Sequence, residues 1–214
     1  MDQKLKDISE ALIKGQAPLV KELVQTCLSN GVPPQEILSE GLIAGMNVIG
    51  KRFKKDEIFL PEVMIAARAM HAGLDILDPI LSKGNVQPRG IVVLGTVRGD
   101  LHDIGKNLVS IMFRGAGFKV IDLGIDVPDE NFVKAVKENH PDILALSALL
   151  TMTLPMMKTT IEAVDAAGLK DEVAIMVGGA PVTQGFADKI GAHGYAPDAA
   201  TAVDKAFELM TATG

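Results

Sequence analysis

Ile91-Val92-Val93-Leu94-Gly95-Thr96-Val97-Arg98-Gly99-Asp100-Leu101-His102-Asp103-Ile104-Gly105-Lys106-Asn107 is the stretch whose pattern decides the fold. Its first four residues form an unbroken β-branched and aliphatic run, the pattern of a strand buried on both faces. The run gives way to a loop rich in glycine and charge, and a helical stretch follows. The same alternation returns at Lys119-Val120-Ile121-Asp122-Leu123, Ile143-Leu144-Ala145-Leu146 and Val173-Ala174-Ile175-Met176-Val177. A short fifth strand is expected at 193–195 and a closing helix over 198–210. Apolar runs alternating with helices imply parallel strands joined by right-handed crossovers, that is, a doubly wound five-stranded sheet of the flavodoxin-like (Rossmann-type) kind. Ligands gather at the carboxyl ends of the strands in such sheets. The loops at 95–103, 124–128, 147–153 and 178–181 are therefore expected to carry the function.

Upstream the period changes. Leu5, Ile8 and Leu12, then Leu19, Leu23 and Cys27, recur at three- and four-residue spacing, and no strand pattern is present. Turn chemistry at Gly15, at Asn30-Gly31-Val32-Pro33-Pro34 and at Asp56-Glu57 divides this half into helices at 3–14, 17–29, 34–54 and 60–82, a four-helix bundle. The polar, breaker-containing segment 82–90 reads as a linker. The expected division is a helical bundle domain over 1–86 and an α/β domain over 87–214.

Composition bounds the chemistry. The chain has 214 residues, 48% of them hydrophobic and 22% charged, which fits folded domains rather than disorder. One cysteine, Cys27, excludes an intramolecular disulfide framework and any multi-cysteine metal site, and points to a reducing, cytoplasmic setting. A net charge of −6, without a basic block beyond Lys51-Arg52-Phe53-Lys54-Lys55, argues against a nucleic-acid surface. That run is a helix end favoured by its cations or a face for an acidic partner. No apolar stretch reaches a membrane span of roughly 20 residues, and the polar start lacks the core of a signal peptide, so no membrane is expected as partner.

The loop at 95–107 holds glycines that match neither the dinucleotide spacing G-x-G-x-x-G nor a phosphate loop ending in G-K-[ST]. Four histidines, at 71, 102, 140 and 193, are too scattered for a multi-histidine metal cluster. One possibility remains: a single exposed histidine, His102, ligates a metal from one side while Asp100 accepts its other ring N–H and fixes the tautomer.

The stretch Asp100-Leu101-His102-Asp103-Ile104-Gly105 is D-x-H-x-x-G, and here the chain resembles the cobalamin-binding module of corrinoid methyltransferase proteins. Ser147-Ala148-Leu149 is similar to that family's S-x-L motif after the third strand, and Gly178-Gly179-Ala180 to its glycine pair after the fourth. Phe59-Leu60-Pro61-Glu62-Val63 and Ala67-Arg68-Ala69-Met70 resemble the helical cap that precedes the module. Length and domain order look most like the small corrinoid subunits of methylamine, methanol, betaine or methoxylated-aromatic systems.

The resemblance implies a cobalamin or related corrinoid with His102 as axial ligand of its cobalt, Asp100 holding the second ring nitrogen, and Thr153 behind it where methionine synthase has serine. Thr153 reads equally as the N-cap of a helix with Pro155 in its first turn. Gly99, Leu101, Asp103, Ile104 and Gly105 would line the cofactor together with Leu149. Ser147, Thr151, Gly178, Gly179 and Ala180 would receive the displaced nucleotide tail, with Tyr195 near its far end. Strand-end polarity is the alternative for Ser147 and Thr151, and packing for Tyr195. Phe59, Val63, Met64 and Met70 are candidates for an apolar cap over the methyl-bearing face, although such a stripe at helical spacing is also plain core.

By the same resemblance the chain is a methyl carrier: Co(I) accepts a methyl group from a substrate:corrinoid methyltransferase, and methyl-Co(III) delivers it to a methylcorrinoid:acceptor methyltransferase using tetrahydrofolate or coenzyme M. A reductive activase would rescue oxidised cobalt. The chain would not be catalytic alone but a subunit of a multicomponent methyltransferase system in one-carbon metabolism. Rival expectations are a cobalamin-sensing regulatory or binding module without methyl transfer, for which a DNA-binding domain is not expected here, the cobalamin subunit of a mutase, and a flavodoxin-like protein without cobalt.

Overall fold

The computed structural model describes residues 3–83 and 88–212. The chain divides into two compact units, Met1–Pro88 with Gly115–Gly117, and Arg89–Arg114 with Phe118–Gly214. The expected boundary near residue 86 lies outside the described residues, as does much of the expected linker; Ser82 and Lys83 end a helix.

The first unit is helical: α1 (Gln3–Ile13), α2 (Ala17–Ser29), α3 (Pro34–Glu36), a π-helical stretch (Ile37–Ile43), α4 (Ala44–Lys54) and α5 (Leu60–Lys83). Leu5, Ile8, Ala11 and Leu12 turn the inner face of α1 into the bundle. In α2 the buried face is Val20, Val24 and Cys27, and Leu19 is exposed, so the apolar stripe lies one position round from the expected Leu19-Leu23-Cys27. The expected continuous helix over 34–54 contains the π stretch in its middle. Gly41 and Gly45 lie against α1 there: a Cβ on Gly41 would stand 3.1 Å from Ile8 Cγ2, and one on Gly45 3.0 Å from the Ser9 carbonyl oxygen. α5 continues through Pro79, which lacks the N–H for one helical bond.

The second unit alternates β1 (Ile91–Thr96), α6 (Ile104–Gly115), β2 (Lys119–Asp122), α7 (Asp129–Asn139), β3 (Ile143–Ser147), α8 (Leu154–Ala166), β4 (Ala174–Gly178), α9 (Gln184–Ile190), β5 (Gly194–Ala196) and α10 (Ala199–Ala212). All strands pair in parallel in the order β2-β1-β3-β4-β5, the flavodoxin-like order. Register is set by apolar residues side by side, Val92 beside Val120 and Ile143, Ala145 beside Met176. One face of the sheet is sealed by Val93, Leu144, Leu146, Ile175 and Val177 packing with Phe132 of α7 and Met157, Ile161 and Val164 of α8. Phe132 comes so close to β1 that a Cβ at Gly95 would stand 2.7 Å from its ring.

β5 is held at its start by His193, whose N–H donates to the Ile175 carbonyl at 2.7 Å while its Nδ1 accepts from the Ile175 N–H at 2.8 Å. Burial and the neighbouring Lys170 keep this imidazole below its usual pKa, against the opposite pull of Asp171, and a neutral ring is what an accepting Nδ1 requires. The strand order reverses between β1 and β3. Their carboxyl ends lead into the 97–103 and 148–153 loops, the place where such sheets bind ligands.

Candidate functional site

At the end of β1 the chain turns through Gly99, whose φ of +81° is readily adopted only by glycine, and this turn points Asp100 back beneath the loop. Asp100 is completely buried. Its Oδ2 accepts from the Leu149 N–H at 2.8 Å, the Leu150 N–H at 3.2 Å and the Thr153 hydroxyl at 2.7 Å. Its Oδ1 accepts from the His102 N–H at 3.1 Å and lies 2.8 Å from His102 Nδ1. Burial pushes this carboxyl's pKa upward, but the hydrogen bonds from Thr153, Leu149 and His102 together outweigh it and hold the group well below the usual carboxylate range.

An ionised carboxylate only accepts, so the proton between Asp100 and His102 sits on Nδ1. In the neutral imidazole Nε2 then carries the lone pair. The His102 side chain is 48% exposed, so this lone pair is within reach of a ligand. Thr96, buried at the end of β1, donates its hydroxyl to the His102 carbonyl at 2.9 Å and holds the loop from behind. Among the described residues no group of three His, Cys, Asp or Glu side chains could hold a metal ion. The arrangement presents one imidazole nitrogen with its tautomer fixed by a carboxylate, the way a metal-bound histidine is held.

Around His102 the loops expose apolar side chains that a soluble surface rarely gathers: Leu101, Ile104, Leu149, Leu150, Ile125 and Met152, the last 86% exposed. Asp103 and Gly105 are exposed beside them; Asp103 accepts from the Asn107 side chain, and Gly105 has open space where a Cβ would stand. Thr153 occupies the N-cap position of α8, yet its hydroxyl makes no cap bond and turns to Asp100 and the Leu150 carbonyl instead.

Ser147 is half-buried at the end of β3 and Thr151 is exposed. Gly178 ends β4 beside Ala196, and Gly179 has φ +130° with a would-be Cβ 1.9 Å from the Ala148 carbonyl oxygen. Glycine at 179 is thus demanded by the chain's own backbone. Ala180 is exposed, and Tyr195 is partly buried against the sheet core. In the helical unit Phe59 and Met64 are exposed, whereas Val63 and Met70 are buried, so the latter two present no free apolar face as expected of a cap. Leu60 and Ile65 are exposed there instead.

Sequence reasoning missed Leu150, Thr96, Ile125 and Met152. Leu150 acts on Asp100 through its backbone, which leaves no trace in residue type. Leu149-Leu150 and Met152 within one polar loop, and Ile125 in another, were a signal that could have been read.

A parallel sheet with this order and a histidine tied to a buried carboxylate at its switch point defines a cofactor-binding class, and family comparison identifies it. Residues 90–204 match the B12 binding domain model and residues 4–78 a second B12 binding domain model, and the chain belongs to this family. Its cofactor is a corrinoid. The chain is 46% identical to dimethylamine corrinoid protein 3 of Methanosarcina acetivorans over 96% of both chains. Among solved structures it is similar to a chain of the methanol:cobalamin methyltransferase complex of Methanosarcina barkeri, with a TM-score of 0.90 and 32% identity over 98% of this chain and 80% of that one. It is also similar to a cobalamin-binding protein of Desulfitobacterium hafniense, with a TM-score of 0.78 and 33% identity over 96% of this chain and 98% of that one.

Proposed function

We propose that this chain is a methyl-carrying corrinoid protein of a methylamine-type system, working in the cytoplasm with a substrate:corrinoid methyltransferase on one side and an acceptor methyltransferase on the other. The observation that carries the reading is the His102 ring, its Nδ1 tied to a buried anion and its side chain half open to solvent at the switch point. Relatives named dimethylamine corrinoid proteins support the methylamine class of donor.

When bound, a corrinoid supplies a cobalt centre able to take up and give up a methyl group. His102 would offer Nε2 to that centre, with Asp100 orienting the ring and keeping the Nδ1 proton in place. The exposed Leu101, Ile104, Leu149 and Leu150 would line the bound group with apolar surface. Ser147, Thr151, Gly178, Gly179, Ala180 and Tyr195 are assigned to the nucleotide tail. The α/β domain, residues 87–214 in this reading, binds the cofactor, and residues 1–86 form the cap domain, with exposed Phe59 and Met64 its apolar candidates. A tetrahydrofolate or coenzyme M enzyme as acceptor and a reductive activase complete the proposed partners.

The test is reconstitution with cobalamin, followed by visible spectra and electron paramagnetic resonance of the Co(II) form. A histidine-nitrogen signature that disappears in His102→Ala is expected. A bound corrinoid whose axial nitrogen is unchanged in that variant would overturn the ligand assignment. Methyl uptake from dimethylamine in the presence of a methylamine-specific methyltransferase then tests the carrier role.

A further inference from the structure

We propose that Asp126, in the β2–α7 connection, is a positioning residue that holds the His102 loop in its ligating geometry. Asp126 has φ +50°, a left-handed conformation costly for most L-residues but tolerated by Asp and Asn. That conformation lets it make two bonds to the neighbouring loop. Its Oδ1 accepts from the Gly99 N–H at 2.6 Å, and its own N–H donates to the Asp100 carbonyl at 3.0 Å. The Asp100 N–H is taken by the Val97 carbonyl at 3.1 Å. The two residues that aim the Asp100 side chain are thus fixed from both ends, and Asp100 in turn fixes the imidazole.

The connection carrying Asp126 is itself anchored. The Thr96 N–H donates to the Gly124 carbonyl and the Val127 N–H to the Thr96 carbonyl, both at 3.0 Å. The Gly124 N–H donates to Asp122 Oδ1 at 2.9 Å, and Asp122 Oδ2 accepts from the buried Lys106 ammonium at 2.6 Å. Lys106 lies four residues past His102, on α6. Asp126 of the β2–α7 connection therefore grips the histidine loop before His102, and Asp122 at the end of β2 bonds Lys106 on α6, the helix that follows that loop. Asp126 forms no ion pair among the described residues, which leaves this grip as its structural work.

The inference rests on the reading of His102 as the lower ligand. Its test uses the full chain reconstituted with cobalamin, comparing wild type with Asp126→Gly, Asp126→Asn and His102→Ala. Glycine keeps the left-handed backbone but removes the acceptor; asparagine keeps both. In Asp126→Gly the equilibrium between histidine-on and histidine-off Co(II) forms is expected to fall about three- to tenfold, the effect of losing one exposed charge-assisted hydrogen bond. Asp126→Asn should restore most of it. In the cofactor-free protein, the imidazole nitrogen resonances of His102 should lose their single-tautomer signature in Asp126→Gly only.

Wild-type histidine ligation in Asp126→Gly, with the signal absent in His102→Ala, overturns the proposal alone. So does a lowered melting temperature or cobalamin affinity with the histidine-on fraction of bound cofactor unchanged, because that is a purely structural role. A nitrogen signal that persists in His102→Ala overturns the ligand reading and the function given to Asp126 with it.

Discussion

Asp100 is an anion where water does not reach, and it survives there because five donors surround its two oxygens. A carboxyl whose folded pKa lies below its unfolded value of about 3.9 stabilises the fold above that pH, and the contribution is lost as pH falls towards the folded value. Urea unfolding across a pH series should therefore show wild type ahead of Asp100→Asn most clearly above about pH 4, with the gap closing in more acid solution. Thr153→Val should cost about 1–2 kcal/mol in the same assay, since it removes a buried hydroxyl from Oδ2 without emptying the site. At this scale the sequence was legible where function rests on residue type: the spacing of Asp100 and His102 announces the pairing. It was silent where function rests on the path of the chain. Only the folded loop decides whether the Thr153 hydroxyl serves its own helix or Asp100.

Strands and helices were nearly all visible as changes of period, because burial on both faces writes an unbroken apolar run and burial on one face writes a stripe. Strands β1 and β3 each extend past the apolar run, to Thr96 and Ser147, because pairing with neighbours continues where hydrophobicity stops. The π stretch inside the third helical segment was invisible, since one extra residue per turn barely alters a three- and four-residue spacing. What marks the place is the pair of glycines at 41 and 45. Gly45→Ala would press a methyl group on the backbone of Ser9 and the side chain of Leu12, and should destabilise the helical unit by about 1–3 kcal/mol in denaturant unfolding followed by circular dichroism. An unchanged midpoint would mean that α1 and α4 have room that the geometry denies.

For the molecule as a whole, alternation of strand and helix foretold a flavodoxin-like parallel sheet, and the pairing order β2-β1-β3-β4-β5 is that of such a sheet. The two compact units should respond unequally to the cofactor. Scanning calorimetry of the full chain with cobalamin at 100 times its dissociation constant should raise the stability of the cofactor-binding state by about 2.7 kcal/mol. At that same cobalamin concentration His102→Ala, binding more weakly, should show a smaller shift. Such a molecule is also free to diversify around its anchor. Leu149 and Leu150 hold Asp100 through their amides, so the anchor asks only for a peptide N–H at those positions, which every residue but proline supplies. Mutation can repaint the outward surface of that loop, Met152 included, while the electrostatic root of the histidine is inherited untouched.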